Sequence, residues 1–297
     1  MLDNISFFNM GISQHIPWWA KIGAKIALAK APVSYKLWRR IGIFRHGKMI
    51  DADYSRSVFD SHMKSLAKHA STQPHSLLEL GPGDSVSTAI WAKANRIPTT
   101  TLVDAGCFAT LDVNTYEEAL RAAGFKDHAA AQALNVNEML AALGAQYLCN
   151  GITSLRSLPN QSIDAIFSNA VLEHVRRSEF ADTIHELLRI QRPGGISSHQ
   201  IDLRDHLGGA LNSLRISHQR WESPLFSQSG FYTNRLRCSE IRSIFTNAGW
   251  EILECTERKW DHLPTSRRVL HKQFQKFTDN DLLVSGVRIV VRRPKTA

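Results

Sequence analysis

Glu79, Gly81, Gly83 and Asp104 have the residue types and the spacing to hold a charged, ribose-bearing ligand. Ser76-Leu77-Leu78-Glu79-Leu80 reads as a short apolar strand that runs into Gly81-Pro82-Gly83, with a helical pattern from Val86 onward. Glycines at such a junction let the backbone turn tightly and come close to a ligand at the helix N-terminus, on the carboxyl edge of a sheet. A dinucleotide is a poor match, because its fingerprint needs a third glycine where Val86 stands. Glu79 points at the turn, where a carboxylate repels a pyrophosphate and attracts an ammonium. Asp104 closes the next apolar run, 21 residues after Gly83. A carboxylate grips ribose hydroxyls at a spacing of about 20 residues.

A ligand with a ribose, an amino group and no phosphate satisfies all four residues. S-adenosylmethionine is such a ligand. Methyl transfer from it needs an acceptor held in line and, for a hydroxyl, a group that removes a proton. The base candidates follow the fifth apolar run: His199, Asp202, Asp205 and His206. His199 comes first among them because imidazole titrates near neutrality, with Asp202 and His206 next. On a strand His199 and Asp202 fall on opposite faces, so they are not expected to pair. His174 reads as a packing or helix-entry residue. No spacing motif for metal ligands accompanies the His/Asp cluster, and no metal is expected. The Asn/Asp-Pro-Pro-aromatic turn of many nucleobase and amide methylating enzymes is absent after Asn169. Phe226 to Arg237 is rich in aromatic and hydrogen-bonding side chains, which suits either a sugar acceptor or packing of a long insertion.

Short apolar runs that alternate with amphipathic stretches must position these residues. The runs are 76–80, 100–103, 146–148, 163–168, 195–202, 250–255 and 285–291. Helical patterns cover 86–94, 115–123, 136–143, 178–190 and 239–248, and residues 51–75 are polar and helical in pattern. Such alternation predicts an α/β fold with a mostly parallel sheet. Residues 203–235 break it with a connection too long for a plain loop.

With these elements placed, the sequence resembles the class I S-adenosylmethionine-dependent methyltransferases. Glu79, Gly81 and Gly83 match the acidic-x-Gly-x-Gly turn that holds the methionine part in that family, and Asp104 matches its ribose acid. Gly151-Ile152-Thr153 stands where the family covers the adenine. The usual acid is replaced there by Ile152 and Thr153, which leaves the adenine amine to a backbone carbonyl or to Thr153. Ser162 to Val175 is similar to the family's strand-four segment with its LEHV ending, and Asn169 joins the implied cofactor set. Arg192-Pro-Gly-Gly195 resembles the turn before strand five. The resemblance implies a Rossmann-like seven-stranded sheet whose last strand is antiparallel, with an N-terminal helical cap. The basic arm and the IDLRDH and GFYTNR segments resemble bacterial methyltransferases of surface-polysaccharide assembly. This implies O-methylation of a small molecule or of a glycan. An RNA-directed methyltransferase and a non-catalytic binding protein of the same fold are the alternatives.

Composition sets the outer bounds. The chain has 297 residues, 43% hydrophobic and 21% charged, which suits one large domain or a domain with an appendage. No apolar run approaches the ~18 residues of a membrane span, and the start MLDNISFFNM does not read as a cleaved signal peptide. Four cysteines far apart in sequence, with no CxxC, exclude a local zinc-ribbon or thioredoxin motif and fit a reducing cytoplasm. The net charge of +9 belongs to one segment. Residues 4–50 hold eight Lys or Arg and no acid, leaving 28 basic against 27 acidic residues elsewhere. A nearly neutral body is a poor nucleic-acid tracker, and no nucleic acid is expected. Ile12, Ile16, Trp19, Ile22 and Ile26 share a helical face flanked by Lys21 and Lys25. That face suits either a cap over the cleft or peripheral contact with an anionic membrane through 12–48, at its cytoplasmic face. The expected organisation is an arm or cap over 1–70 and a cofactor domain over 71–297, with an insertion at about 203–235.

Overall fold

The computed structural model describes residues 48–295, together with Ala20 and Gly23. The apolar face of the basic arm lies outside the described residues, and so do both readings of it. Among the described residues no helix is long and apolar enough to cross a membrane.

Seven strands form a single sheet: β1 (Ser76–Leu80), β2 (Thr99–Val103), β3 (Ala145–Leu148), β4 (Ile163–Asn169), β5 (Gln191–Asp202), β6 (Glu251–Lys259) and β7 (Val284–Arg292). Their order is β3-β2-β1-β4-β5-β7-β6. β1 to β5 pair in parallel, and β7 runs antiparallel to both β5 and β6. This is the Rossmann-like sheet that the alternation and the resemblance imply. The order reverses between β1 and β4, so the carboxyl ends of these neighbours flank the crevice where ligands bind in such sheets.

Helices cover both faces. They are α1 (Ala52–Ala67), α2 (Ser87–Ala94), α3 (Glu117–Ala122), α4 (Val136–Leu143), α5 (Gly151–Ser157), α6 (Arg177–Ile190) and α7 (Cys238–Asn247). Strand alternation divides the core between them. Leu77, Leu102 and Phe167 pack with Phe59 of α1, Ile90 of α2 and Met139 of α4 on one face. Leu78, Val103 and Ile166 pack with Leu155 of α5, Ile184 of α6 and Phe245 of α7 on the other. Side-chain caps start the helices where the polar residues fall. Asp51 accepts the Tyr54 amide at 2.8 Å to open α1, and Asn135 accepts that of Glu138 at 3.0 Å to open α4.

Residues 52–67, expected within the 1–70 arm, pack on the sheet. Phe59 and Leu66 of α1 sit in the main core, the ring of His62 stacks on Phe167 with centroids 4.8 Å apart, and Arg288 of β7 donates to Ser61 Oγ at 2.8 Å. A second irregular segment, between β6 and β7, escaped notice because its helices last a single turn. Its Leu270, Phe274 and Leu282 share a small core with Leu211 and Leu214 of the insertion. The cysteines are not scattered in space. Cys107 and Cys149 form a disulfide, while Cys238 and Cys255 are free thiols. Cys107 follows β2 and Cys149 follows β3, so the parallel pairing of those strands brings together residues 42 apart in sequence. The pairing removes the argument from single cysteines for a reducing compartment.

Candidate active site

Glu79 and Asp104 stand at the carboxyl ends of adjacent strands, β1 and β2, on either side of the glycine turn. Glu79 is 1% exposed, and its Oε2 has no hydrogen-bond partner among the described residues. Burial pushes its carboxyl up to about 8, against a lowering effect of the nearby Thr88 hydroxyl, and the charge of Asp104 adds to the rise. Asp104 Oδ2 accepts the Gly83 amide at 2.9 Å, and its Oδ1 accepts the Ala105 amide at 2.7 Å. Burial raises Asp104 to about 6 in spite of these bonds.

Gly81 adopts φ +75° and Gly83 φ +69°, the left-handed region that suits glycine. A Cβ on Gly81 would overlap the side chain of Val171, which crosses over the turn from the β4–α6 connection. The turn is therefore held from two sides, by Val171 above and by the Asp104 carboxylate beside it. Tyr54 of α1 is near enough to Asp84 of the turn for that charge to add to burial in raising its phenol. α1 thus reaches the turn as well as the sheet face.

Gly151, Ile152 and Thr153 form the first turn of α5 rather than a loop, and the Gly151 amide donates to the Asp104 carbonyl at 2.8 Å. Ile152 is half-buried and Thr153 exposed. Asn169 ends β4, and its Oδ1 lies 3.5 Å from His62 Nε2. Ala170 follows with φ +55°, a strained conformation for a residue with a Cβ. Nothing in an Asn-Ala-Val run announces that strain.

The base candidates separate. His199 is 0% exposed. Its Nδ1 pairs with Ser168 Oγ at 2.8 Å, its ring meets Phe245 at 5.6 Å, and burial lowers it to about 3. His199 therefore belongs to the core between β5 and α7. Its Nε2 is buried without a hydrogen-bond partner among the described residues. Asp202 faces the other way, as strand alternation requires. Its carboxylate accepts Arg204 Nε at 3.0 Å and Nη2 at 2.9 Å. Burial raises Asp202, but the bonds and charge of Arg204 outweigh it and hold the group below the usual carboxylate range. A paired, acidic carboxylate is a weak base. Asp205 is buried and accepts the amides of Leu207 at 3.0 Å, Ala210 at 3.3 Å and also Asn212. It organises the start of the insertion.

His206 is half-buried and meets His174 edge-on, with ring centroids 5.0 Å apart. His174, read from sequence as a packing residue, is exposed, and its Nδ1 lies 3.0 Å from the Tyr232 carbonyl oxygen. A carbonyl only accepts, so Nδ1 carries the hydrogen and in the neutral ring Nε2 carries the lone pair. Neighbouring Glu173 escaped the sequence reading. It is 2% exposed, and its Oε1 accepts the Asp202 amide at 3.3 Å. Burial, with the Asp202 charge adding, raises it to about 8. Glu173, Asp202 and Arg204 line a crevice of about 10 Å³, room for one water and not for an acceptor.

The aromatic segment serves the insertion. Phe231 and Tyr232 pack with Trp221 and Leu207 in a core of their own. Arg235 lies between the rings of Trp221 and Phe274, 4.9 and 5.0 Å from their centroids. Asn234 Nδ2 donates to the carbonyls of Leu172 at 2.7 Å and Val175 at 3.0 Å, which fixes the loop that presents His174. A wider groove opens among His75, Thr99, Gln146 and Arg192. It lies at the opposite, amino edge of the sheet, away from the turn and both histidines.

The sheet order, the glycine turn and the carboxylate after β2 are those of a class I S-adenosylmethionine-dependent methyltransferase domain. Residues 78–198 match the family model described as a methyltransferase domain. S-adenosylmethionine is the cofactor of that domain. The buried, orphaned oxygen of Glu79 and the carboxylate of Asp104 beside the turn fit its ammonium and its ribose. No curated protein sequence matches the chain. Among solved structures it is similar to a Galdieria sulphuraria protein described as a sarcosine dimethylglycine methyltransferase. The two are 14% identical with a TM-score of 0.50, over 88% of this chain and 97% of that one. It is also similar to a Methanosarcina mazei S-adenosylmethionine-dependent methyltransferase. There the identity is 15% and the TM-score 0.45, over 77% and 97% of the two chains. A Haemonchus contortus phosphoethanolamine N-methyltransferase solved with S-adenosylhomocysteine shares 14% identity and a TM-score of 0.44, over 80% of this chain and 53% of that one.

Proposed function

We propose that this chain methylates a hydroxyl of a small polar acceptor, with His174 and His206 handling the acceptor's proton. The observation that carries this reading is the edge-to-face contact of the two rings beyond the neighbouring carboxyl ends of β4 and β5. When bound, the cofactor supplies a methyl group on a cationic sulfur, ready for attack by a nucleophile. Glu79 and Asp104 would hold its ammonium and ribose, Gly81 and Gly83 would let the backbone approach it, Ile152 and Thr153 would serve its adenine, and Asn169 would complete the set. His174 Nε2 accepts the hydroxyl proton. Tyr232 fixes the tautomer through its carbonyl, and Asn234 fixes the loop.

A small acceptor agrees with the description of the Galdieria sulphuraria protein as a sarcosine dimethylglycine methyltransferase, since sarcosine and dimethylglycine are small amines. A sugar of a surface-polysaccharide precursor is the acceptor class that the IDLRDH and GFYTNR resemblance suggests. The support for a sugar no longer includes an aromatic platform, because Trp221, Phe231 and Tyr232 are buried.

The test is S-adenosylhomocysteine formation by the full chain with free sugars, nucleotide-linked sugars and simple amines as acceptors. Turnover on a hydroxyl, lowered ~10²–10⁴-fold in His174→Ala or His206→Ala with cofactor affinity intact, is the expected result. Undiminished turnover in both variants, or turnover on amines alone, would overturn the proposal.

A further inference from the structure

We propose that Cys238, Cys255 and Glu257 form a binding site for a thiophilic divalent ion of the zinc or cadmium type, apart from the methyl-transfer site. The Sγ atoms of both cysteines and a carboxylate oxygen of Glu257 all lie within 4.8 Å of one another. Cys238 Sγ is 3.5 Å from Glu257 Oε1. Metal–sulfur and metal–oxygen bonds of about 2.3 and 2.0 Å at a tetrahedral angle put their donors about 3.5 Å apart. Sulfur and oxygen therefore already stand one tetrahedral edge from each other.

The fold builds this set from two elements. Cys255 and Glu257 are two apart on β6, so they share a face. Cys238 is the first residue of α7, which packs against that strand. Lys259 Nζ holds Glu257 at 2.9 Å through Oε2, which leaves Oε1 turned to Cys238. Cys238 is buried, while Cys255 and Glu257 are half-buried on the outermost strand, so the set has a closed inner side and an open mouth. Three protein donors leave a fourth position for water.

Binding involves no redox change. The hydrated ion exchanges water for two thiolates and a carboxylate, and each thiol releases its proton to solvent. A bound ion ties the start of α7 to the edge of the sheet. Arg237, just before Cys238, donates to the carbonyls of Leu203 at 3.0 Å and Asp281 at 3.1 Å, so the tie falls where the insertion returns to the body.

The experiment uses the full chain carrying Cys107→Ser and Cys149→Ser, which leaves Cys238 and Cys255 as the only thiols. Cadmium(II) is titrated into reduced, metal-free protein while thiolate-to-metal charge-transfer absorption and proton release are followed. The expected result is a band that saturates at one ion per chain, with a proton released from each thiol. Cys238→Ser or Cys255→Ser should abolish the band. Glu257→Gln, at the open side, should weaken binding by about tenfold or more, as loss of a supporting ligand does. Should the cysteine variants fail to fold, saturation in the parent and the Glu257→Gln shift decide the matter. No saturable band, a band that survives either cysteine change, affinity unmoved by Glu257→Gln, or a Cys238–Cys255 disulfide that displaces the ion in unreduced protein would each overturn the site.

Discussion

Asp104 Oδ2 accepts the amide proton of Gly83 at 2.9 Å, across the boundary between β2 and the turn after β1. The carboxylate assigned to the ribose therefore also braces the turn assigned to the methionine part. Asp104→Ala should weaken S-adenosylhomocysteine binding by ~1–3 kcal/mol, because a charge-assisted bond is lost and the partly buried Gly83 amide loses its acceptor. Asp104→Asn, which can still accept from Gly83, should lose less. Calorimetry on both variants checks the order.

Cofactor affinity should rise with pH from about 6 to about 8. Glu79 stands at about 8 and Asp104 at about 6, so below those values both carry protons. An ammonium and a ribose diol bind better to carboxylates, so binding below pH 8 must expel the Glu79 proton. Glu79→Gln should flatten the upper part of this dependence. Calorimetry in buffers of different ionisation enthalpy measures the proton released.

Gly81→Ala combines a left-handed backbone with an overlap on Val171. It should destabilise the fold by ~1–3 kcal/mol and weaken cofactor binding. Adding Val171→Ala makes room for the new methyl but leaves the φ cost, so it should restore part of the loss. Denaturant melts of the single and double variants test this.

His199→Gln should leave cofactor binding intact and change the acid stability of the fold. Burial holds His199 at about 3, so between pH 6.5 and 3 the unfolded chain binds a proton that the folded chain does not. This term is fully stabilising above pH 6.5 and is lost as pH falls toward 3. Glu79 and Glu173, raised to about 8, act oppositely as pH rises from 4.5. The difference between wild type and variant isolates the histidine. Urea unfolding at pH 7 and pH 4.5 should show the wild type losing more stability than His199→Gln.

Local rules were enough for the glycine turn, the two carboxylates beside it and the alternation of strands and helices. Each depends on neighbours in sequence: a strand, a turn that only glycine makes comfortably, a helix of period 3.6. The same rules put His199 and Asp202 on opposite faces, which the fold bears out. They could not tell which face is covered. α7, at residues 238–247, returns across one face of β5 and buries His199 against Phe245, while Arg204 neutralises Asp202 on the other. Nor could they pair residues distant in sequence. His174 meets His206, Cys107 meets Cys149 and Cys238 meets Glu257 because parallel strands and crossover helices carry separate segments to one edge of the sheet. Sequence thus determined which backbone turns and which charges are present. Burial and long-range pairing, which set whether a histidine is a base or a packed neutral ring, were decided only when the helices closed over the sheet.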